Sequence, residues 1–267
     1  MITVVVPGRV ARTARRCLAL AGATLAAVVL THLAAPPPAA QGRAVTSPST
    51  APLVAADLTL PLRSVDVRAP DIALTFDISW GTVMPPKVIA ILRREHVAAT
   101  FFLSGPWVAA HPEIVRQIAA VPYFEVESHG QAHVNLGRLG AAAVEANIEK
   151  ANAAIYAVTG RRPTMIRPPN GDYSRTSLAA TAALGMRTVI WDTDSLDWMN
   201  PGVDTIIRRV VTRAHPGDIV LLHASDTCKE TNLALPDIIR DLRTKGYRFV
   251  TVGRLLKEGT ALAHRLD

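Results

Sequence analysis

From about residue 70 the apolar positions fall into short, mostly continuous runs, each but the last followed by a stretch of helical period or a long loop. The runs ALTF (73–76), AATFFLS (98–104), FEVES (124–128), TMIR (164–167), RTVIWD (187–192), DIVLLH (218–223) and YRFVTV (247–252) read as strands. Continuous apolar runs, as opposed to alternating ones, mark parallel strands buried on both faces. Residues 85–96, 111–120, 140–158, 175–184, 203–214 and 236–245 read as helices between them. Pro85 and Pro86 suit a first helical turn, which needs no backbone N–H there. Gly160, Gly185 and Gly246 follow predicted helix ends, where a left-handed residue stops the helix. The alternation predicts an α/β chain with a seven-stranded, barrel-like βα fold, and an open doubly wound sheet is the alternative. No GxGxxG follows the first strand, so a dinucleotide site of that kind is not supported.

The first 65 residues have another pattern. Arg9, Arg12, Arg15 and Arg16 precede the apolar stretch 17–35, and a Pro/Ala/Ser/Thr-rich stretch follows. A basic region before an apolar one is the form of an export signal. The apolar stretch is also close to the roughly 20 residues that span a bilayer. Residues 1–40 are therefore expected to be a signal peptide or a membrane anchor, and 41–65 a linker. The folded domain is expected over 66–258, with 259–267 a C-terminal tail. The expected location is secreted or cell-envelope, outside the cytoplasm.

Composition narrows the picture further. Of 267 residues, 49% are hydrophobic, enough for a sizeable core. The formal charge of +7 falls to about +3 once the four leader arginines are set aside, and no Lys/Arg block of the nucleic-acid type is present. Of the two cysteines, Cys17 lies in the leader, so Cys228 has no partner for a disulfide within the domain, and no Cys/His zinc ribbon exists.

The strand ends carry the chemistry. In a βα barrel the C-terminal strand ends open onto one face, which holds the active site. Asp77, His129, His133, Arg167, Asp194, Asp197 and His223 should therefore converge there. His129 and His133, four apart around Gly130, can face one cation from a helix or tight turn. Asp77 can act as a base or a metal ligand. Arg167 precedes two prolines and a glycine, a rigid turn suited to aiming a peptide N–H, and pairing with Asp77 would hold that carboxylate ionised. His223 can donate a proton, with Asp197 as its orienting partner and Trp198 as an apolar wall. Each has a plainer reading: Asp77 a loop anchor, Arg167 a structural ion pair, His223 a packed histidine.

With those residues in view, the chain resembles the polysaccharide deacetylases of carbohydrate esterase family 4, over about residues 70–255. TFDIS, SHGQAH, RPPNGDY, DSLDW and LLH match that family's five motifs in order. TFDISWG, FFLSGPW and RPPNGDY resemble its sporulation-type branch. The resemblance implies a distorted (β/α)7 TIM-like barrel that removes N-acetyl groups from amino sugars of a cell-wall or related polysaccharide. It implies Asp77 as the base acting on a metal-bound water and His129 and His133 as ligands of a divalent metal, zinc by preference. It further implies Arg167 orienting Asp77, Tyr173 offering a backbone N–H to the oxyanion, Asp197 tuning the acid His223, and Trp198 lining the pocket. The family's third metal ligand, an aspartate after the first, is here Ile78, which cannot coordinate. The expected partner is a peptidoglycan- or chitin-like polymer, with no nucleic acid and a membrane tether only through the N-terminal segment. The alternatives are a catalytically weak or inactive glycan-binding protein on the same fold, or a hydrolase of another non-peptide C–N bond.

Overall fold

The computed structural model describes residues 57–263. The predicted leader and most of the predicted linker lie outside the described residues. In chain order the elements are β1 (Leu62–Asp66), β2 (Asp71–Ile78), α1 (Met84–Arg94), β3 (Ala99–Leu103), α2 (Gly105–Ala110), α3 (Pro112–Ala119) and β4 (Phe124–Ser128). They continue with α4 (Ala141–Thr159), β5 (Met165–Ile166), α5 (Arg175–Ala183), β6 (Arg187–Thr188), β7 (Thr193–Asp194) and α6 (Val203–Arg213). The last are β8 (Ile219–His223), α7 (Thr231–Thr244), β9 (Arg248–Phe249), α8 (Val252–Glu258) and β10 (Thr260–Ala263).

The main sheet runs β6-β5-β4-β3-β2-β8-β7, all neighbours parallel, with β9 pairing the start of β2. Its two end strands, β6 and β7, belong to one stretch of chain joined through residues 189–192. The sheet therefore curls back on itself, and the fold is the distorted (β/α)7 barrel type. The open doubly wound alternative fails on this point, since an open sheet has two unconnected edges.

Strand β2 shows why the runs read as continuous. All eight of its residues are buried. Ile72, Leu74, Phe76 and Ile78 face outward into the apolar layer shared with α1, α2, α3 and α7. Ala73, Thr75 and Asp77, on the alternate positions, face inward, where the Thr75 hydroxyl donates to the carbonyl of Val220 at 2.6 Å. A smaller apolar cluster fills the lower barrel with Leu62, Val65, Ala73, Phe102, Met165 and Ile219 together with Val252 and Leu255 of α8.

The domain extends beyond its predicted boundaries at both ends. Residues 62–65 were expected in the linker and 259–263 in the tail, yet β1 and β10 pair antiparallel. Leu62 also bridges Val189 and Ser64 bridges Asp218, so β1 lies between the edges of the curled sheet. Gly217 makes this approach: at φ +80° it sits where a Cβ would fall 1.6 Å from the carbonyl oxygen of Val65. Helix α7 likewise starts at Thr231, ahead of the expected Pro236, which lies inside it. Helices α2 and α8 were not anticipated.

A linker residue and a core residue respond differently to truncation. Leu62 is fully buried. Leu62→Ala should lower stability by about 2–5 kcal/mol in denaturant unfolding, whereas a solvated linker position would change it by less than about 0.5 kcal/mol.

Candidate active site

Parallel register sets the first geometry. Asp77 on β2 pairs in register with His223 on β8, so the expected base and acid arise from adjacent strands at one level of the barrel mouth. Asp77 is buried, and its Oδ1 accepts a hydrogen bond from Nη1 of Arg167 at 2.9 Å. Arg167, directly after β5, is fully buried. Its Nη2 donates to the carbonyl of Ile190 at 3.1 Å, and its guanidinium lies 4.2 Å from the Phe102 ring centre and 5.7 Å from that of Trp191. Burial alone would raise the Asp77 carboxyl. The Arg167 charge, with His129 and His223 behind it, outweighs burial and holds the group below the usual carboxylate range.

Arg167 also acts through its backbone. The Nδ1–H of His129 donates to the Arg167 carbonyl at 2.8 Å. This fixes the tautomer and leaves Nε2 with its lone pair toward the cavity, 3.8 Å from Asp77 Oδ2. Burial pushes His129 down to about 4, so the ring is neutral. His133 is also shifted downward, chiefly by burial, and its ring centre lies 5.4 Å from that of His129. Residues 129–133 form a turn, not a helix, with Gly130 at φ +74°.

The imidazoles of His129 and His133 are nitrogen donors of the kind a divalent cation takes. A ring N–H held by a carbonyl is the usual second contact of a ligating histidine. These residues fit a cation held by His129 and His133. Position 78 adds no donor, because the isoleucine side chain is a hydrocarbon; Ile78 is fully buried in the outer apolar layer.

The acid side is built on Asp197, which is fully buried at the start of a 3₁₀ turn (197–199). Its Oδ1 accepts from Nδ1–H of His223 at 2.7 Å. Its Oδ2 accepts from the His223 backbone N–H and from the Thr231 hydroxyl, both at 2.7 Å. Burial works against the imidazolium, but the Asp197 carboxylate overcomes it, and the His223 pKa is raised. Cys228 sits beside this pair, with ligand atoms of all three residues within 4.8 Å of one another. Burial pushes its thiol up to about 12, which makes it an unreactive thiol.

These groups open into a cavity of about 500 Å³. Asp77, His129, His133, Asp194, Trp198 and His223 line it, as expected from sequence. Arg167 and Asp197 stand behind the lining as supports. Tyr173 is not in the wall, but its backbone N–H pairs with no acceptor among the described residues. Trp80, Asn170, Trp191, Leu221, Ser225, Thr227 and Cys228 complete the lining and were not singled out from sequence as site residues. Asn170 had a signal, since RPPNG marks a constrained turn, and it adopts φ +60°. Asp226 had none. Its carboxylate accepts from the N–H groups of Thr82, Val83 and Met84, fastening the loop after β2 to the loop after β8.

With this geometry in hand, the comparisons with known proteins fall on one family. The polysaccharide deacetylase model matches residues 64–189. A peptidoglycan-N-acetylglucosamine deacetylase of Bacillus cereus is 34% identical over 189 residues, covering 70% of this chain and 88% of that protein. The uncharacterised protein YlxY of Bacillus subtilis is 30% identical, covering 74% of this chain and 61% of that protein. Among solved structures, a CE4 family pseudoenzyme from Bacillus anthracis superposes with a TM-score of 0.70 at 29% identity, covering 75% of this chain and 70% of that one.

Removing Arg167 would leave Asp77 as a buried, unpaired charge. Arg167→Ala should cost about 3–5 kcal/mol in chemical unfolding near neutral pH, and a loss under about 1 kcal/mol would show that the pair is dispensable to the fold.

Proposed function

This chain belongs to the polysaccharide deacetylase family, and we propose that it hydrolyses N-acetyl groups of amino sugars in a cell-wall or related polysaccharide. The observation that carries this reading is the facing pair of oriented groups at the barrel mouth. Arg167 favours the ionised form of Asp77, and Asp197 favours the protonated form of His223. Two titratable groups pushed apart in this way are what general base and general acid require.

Asp77, through Oδ2, takes the proton from the attacking water. His223 returns a proton to the amine nitrogen as the C–N bond breaks, leaving acetate and a free amino sugar. Trp198 walls the cavity that receives the acetyl group, and the oxyanion role of the Tyr173 N–H rests on the family resemblance alone. A divalent cation on His129 and His133, zinc by its donor set, supplies Lewis-acid polarisation of the acetyl carbonyl. We place the enzyme outside the cytoplasm, on the strength of the basic and apolar pattern in residues 1–40, which lie outside the described residues. The peptidoglycan-named relative supports the same location. Among the described residues no helix is long and apolar enough to cross a membrane.

A second reading, glycan binding without turnover, is favoured by Ile78 and by the likeness to a pseudoenzyme. Retention of both Asp77 and His223 favours the first, since binding alone needs neither. Acetate release from N-acetylglucosamine oligomers or peptidoglycan separates the two. The wild type should release acetate, more so with added divalent metal, and Asp77→Ala should lower kcat by about 10²–10⁴-fold. Absence of acetate under every metal condition, with glycan binding intact, would select the second reading.

The acid makes its own prediction. His223 must be protonated, so activity falls as pH rises through its pKa, which lies above the ordinary imidazole value. Asp197→Asn removes the anion that raises it. The alkaline limb of kcat/KM should then move to lower pH, with kcat reduced at least about tenfold. An unmoved limb would assign it to another group.

A further inference from the structure

The loop after β2 carries the indole of Trp80 on the rim of the cavity. Trp80 is 50% exposed, unusual for a tryptophan whose backbone is so firmly held. Its carbonyl accepts from the Asp226 N–H at 3.2 Å. The N–H groups of Thr82, Val83 and Met84 donate to the Asp226 carboxylate, and the carbonyl of Gly81 accepts from the Trp107 indole N–H at 2.8 Å. Gly81, at φ +83°, has no Cβ where the Asp226 carboxylate sits. The loop is thus rigid at Trp80. The indole is also supported on one side, since its centre lies 4.7 Å from that of the His133 ring. Trp198 is likewise half-exposed on the cavity wall, with the exposed Met199 beside it.

A large apolar side chain kept in water by a fixed loop has a use when a ligand covers it. The occupant here follows from the site it adjoins. The C–H face of a pyranose ring is the apolar part of a saccharide, and it packs flat on an indole. We propose that Trp80 is a specificity-determining platform, which stacks a sugar unit next to the N-acetylated unit in the cavity and so selects an oligosaccharide over a single sugar. This rests on the deacetylase reading for the identity of the saccharide. It adds that recognition extends beyond the reacting residue and that the loop after β2 provides it. The platform leans on His133, so a stacked sugar and the cation-binding side of the site share one wall.

The test compares wild type, Trp80→Ala and Trp80→Phe on N-acetylglucosamine oligomers of increasing length. Binding is measured by calorimetry without added metal, and metal content by elemental analysis after loading with zinc. The wild type should bind longer oligomers more tightly than the dimer. Trp80→Ala should weaken binding of the longer oligomers about tenfold and flatten the length dependence, and Trp80→Phe should recover most of the loss. The same change should appear in KM more than in kcat. Equal affinity of wild type and Trp80→Ala for all lengths would overturn the proposal. So would a fall in zinc content that accounts for the loss, since Trp80 would then act only as a prop for His133. A wild type that neither binds these oligomers nor releases acetate from them would reject the deacetylase reading and this proposal together. Wild-type binding that Trp80→Ala leaves unchanged rejects the platform alone.

Discussion

The buried ion pair between Asp77 and Arg167 is the constraint on which the site is organised. Neither charge can stay in that environment alone, because removing an ion from water costs several kcal/mol unless a partner and further hydrogen bonds compensate. Arg167 meets the requirement at 2.9 Å, with a second donation to Ile190 and an aromatic ring on its face. The pair joins the end of β2 to the end of β5, and through the Arg167 carbonyl it also fixes His129. One residue thus sets the ionisation of the base and the tautomer of an imidazole. The acid half repeats the device with opposite sign, a fully buried carboxylate holding a ring that must carry a proton.

Much of this was legible in the sequence because local pattern and chemistry coincide at strand ends. Asp77, His129, Arg167 and His223 each close an apolar run, and a barrel brings such ends together without further information. What was not legible depends on partners distant in the chain. Strand β1 looks like linker until β10, nearly the whole domain away, pairs with it. Asp226 looks like a surface acid until the loop after β2 arrives to place three N–H groups on it. Pro236 looks like a helix start, because a proline fits a first turn without loss, yet α7 begins a turn earlier. The strand predicted over 187–192 covers β6 and stops before β7, because the two short strands lie on opposite edges of the curled sheet although one stretch of chain supplies both.

The residue at position 78 follows from the same alternation that places the base. Asp77 points into the barrel, so its neighbour points out, and an isoleucine there packs with Phe76, Leu103 and the outer helices. Ile78 therefore serves the core well while contributing nothing to a cation.

The consequence falls on a single atom. Arg167 occupies Oδ1 of Asp77, leaving Oδ2 for chemistry. In the deacetylase reading, an oxygen committed to a cation has a lowered proton affinity and is a poorer base, so the two roles compete for Oδ2. A second carboxylate that reached the cation would divide those roles between two side chains. Here they cannot be divided. In that reading a cation would be held by His129 and His133 without a third protein ligand, more weakly than a three-ligand site would hold it. Turnover then depends on the supply of metal and on how well the substrate itself is held, which is where a rigid aromatic rim has most to contribute.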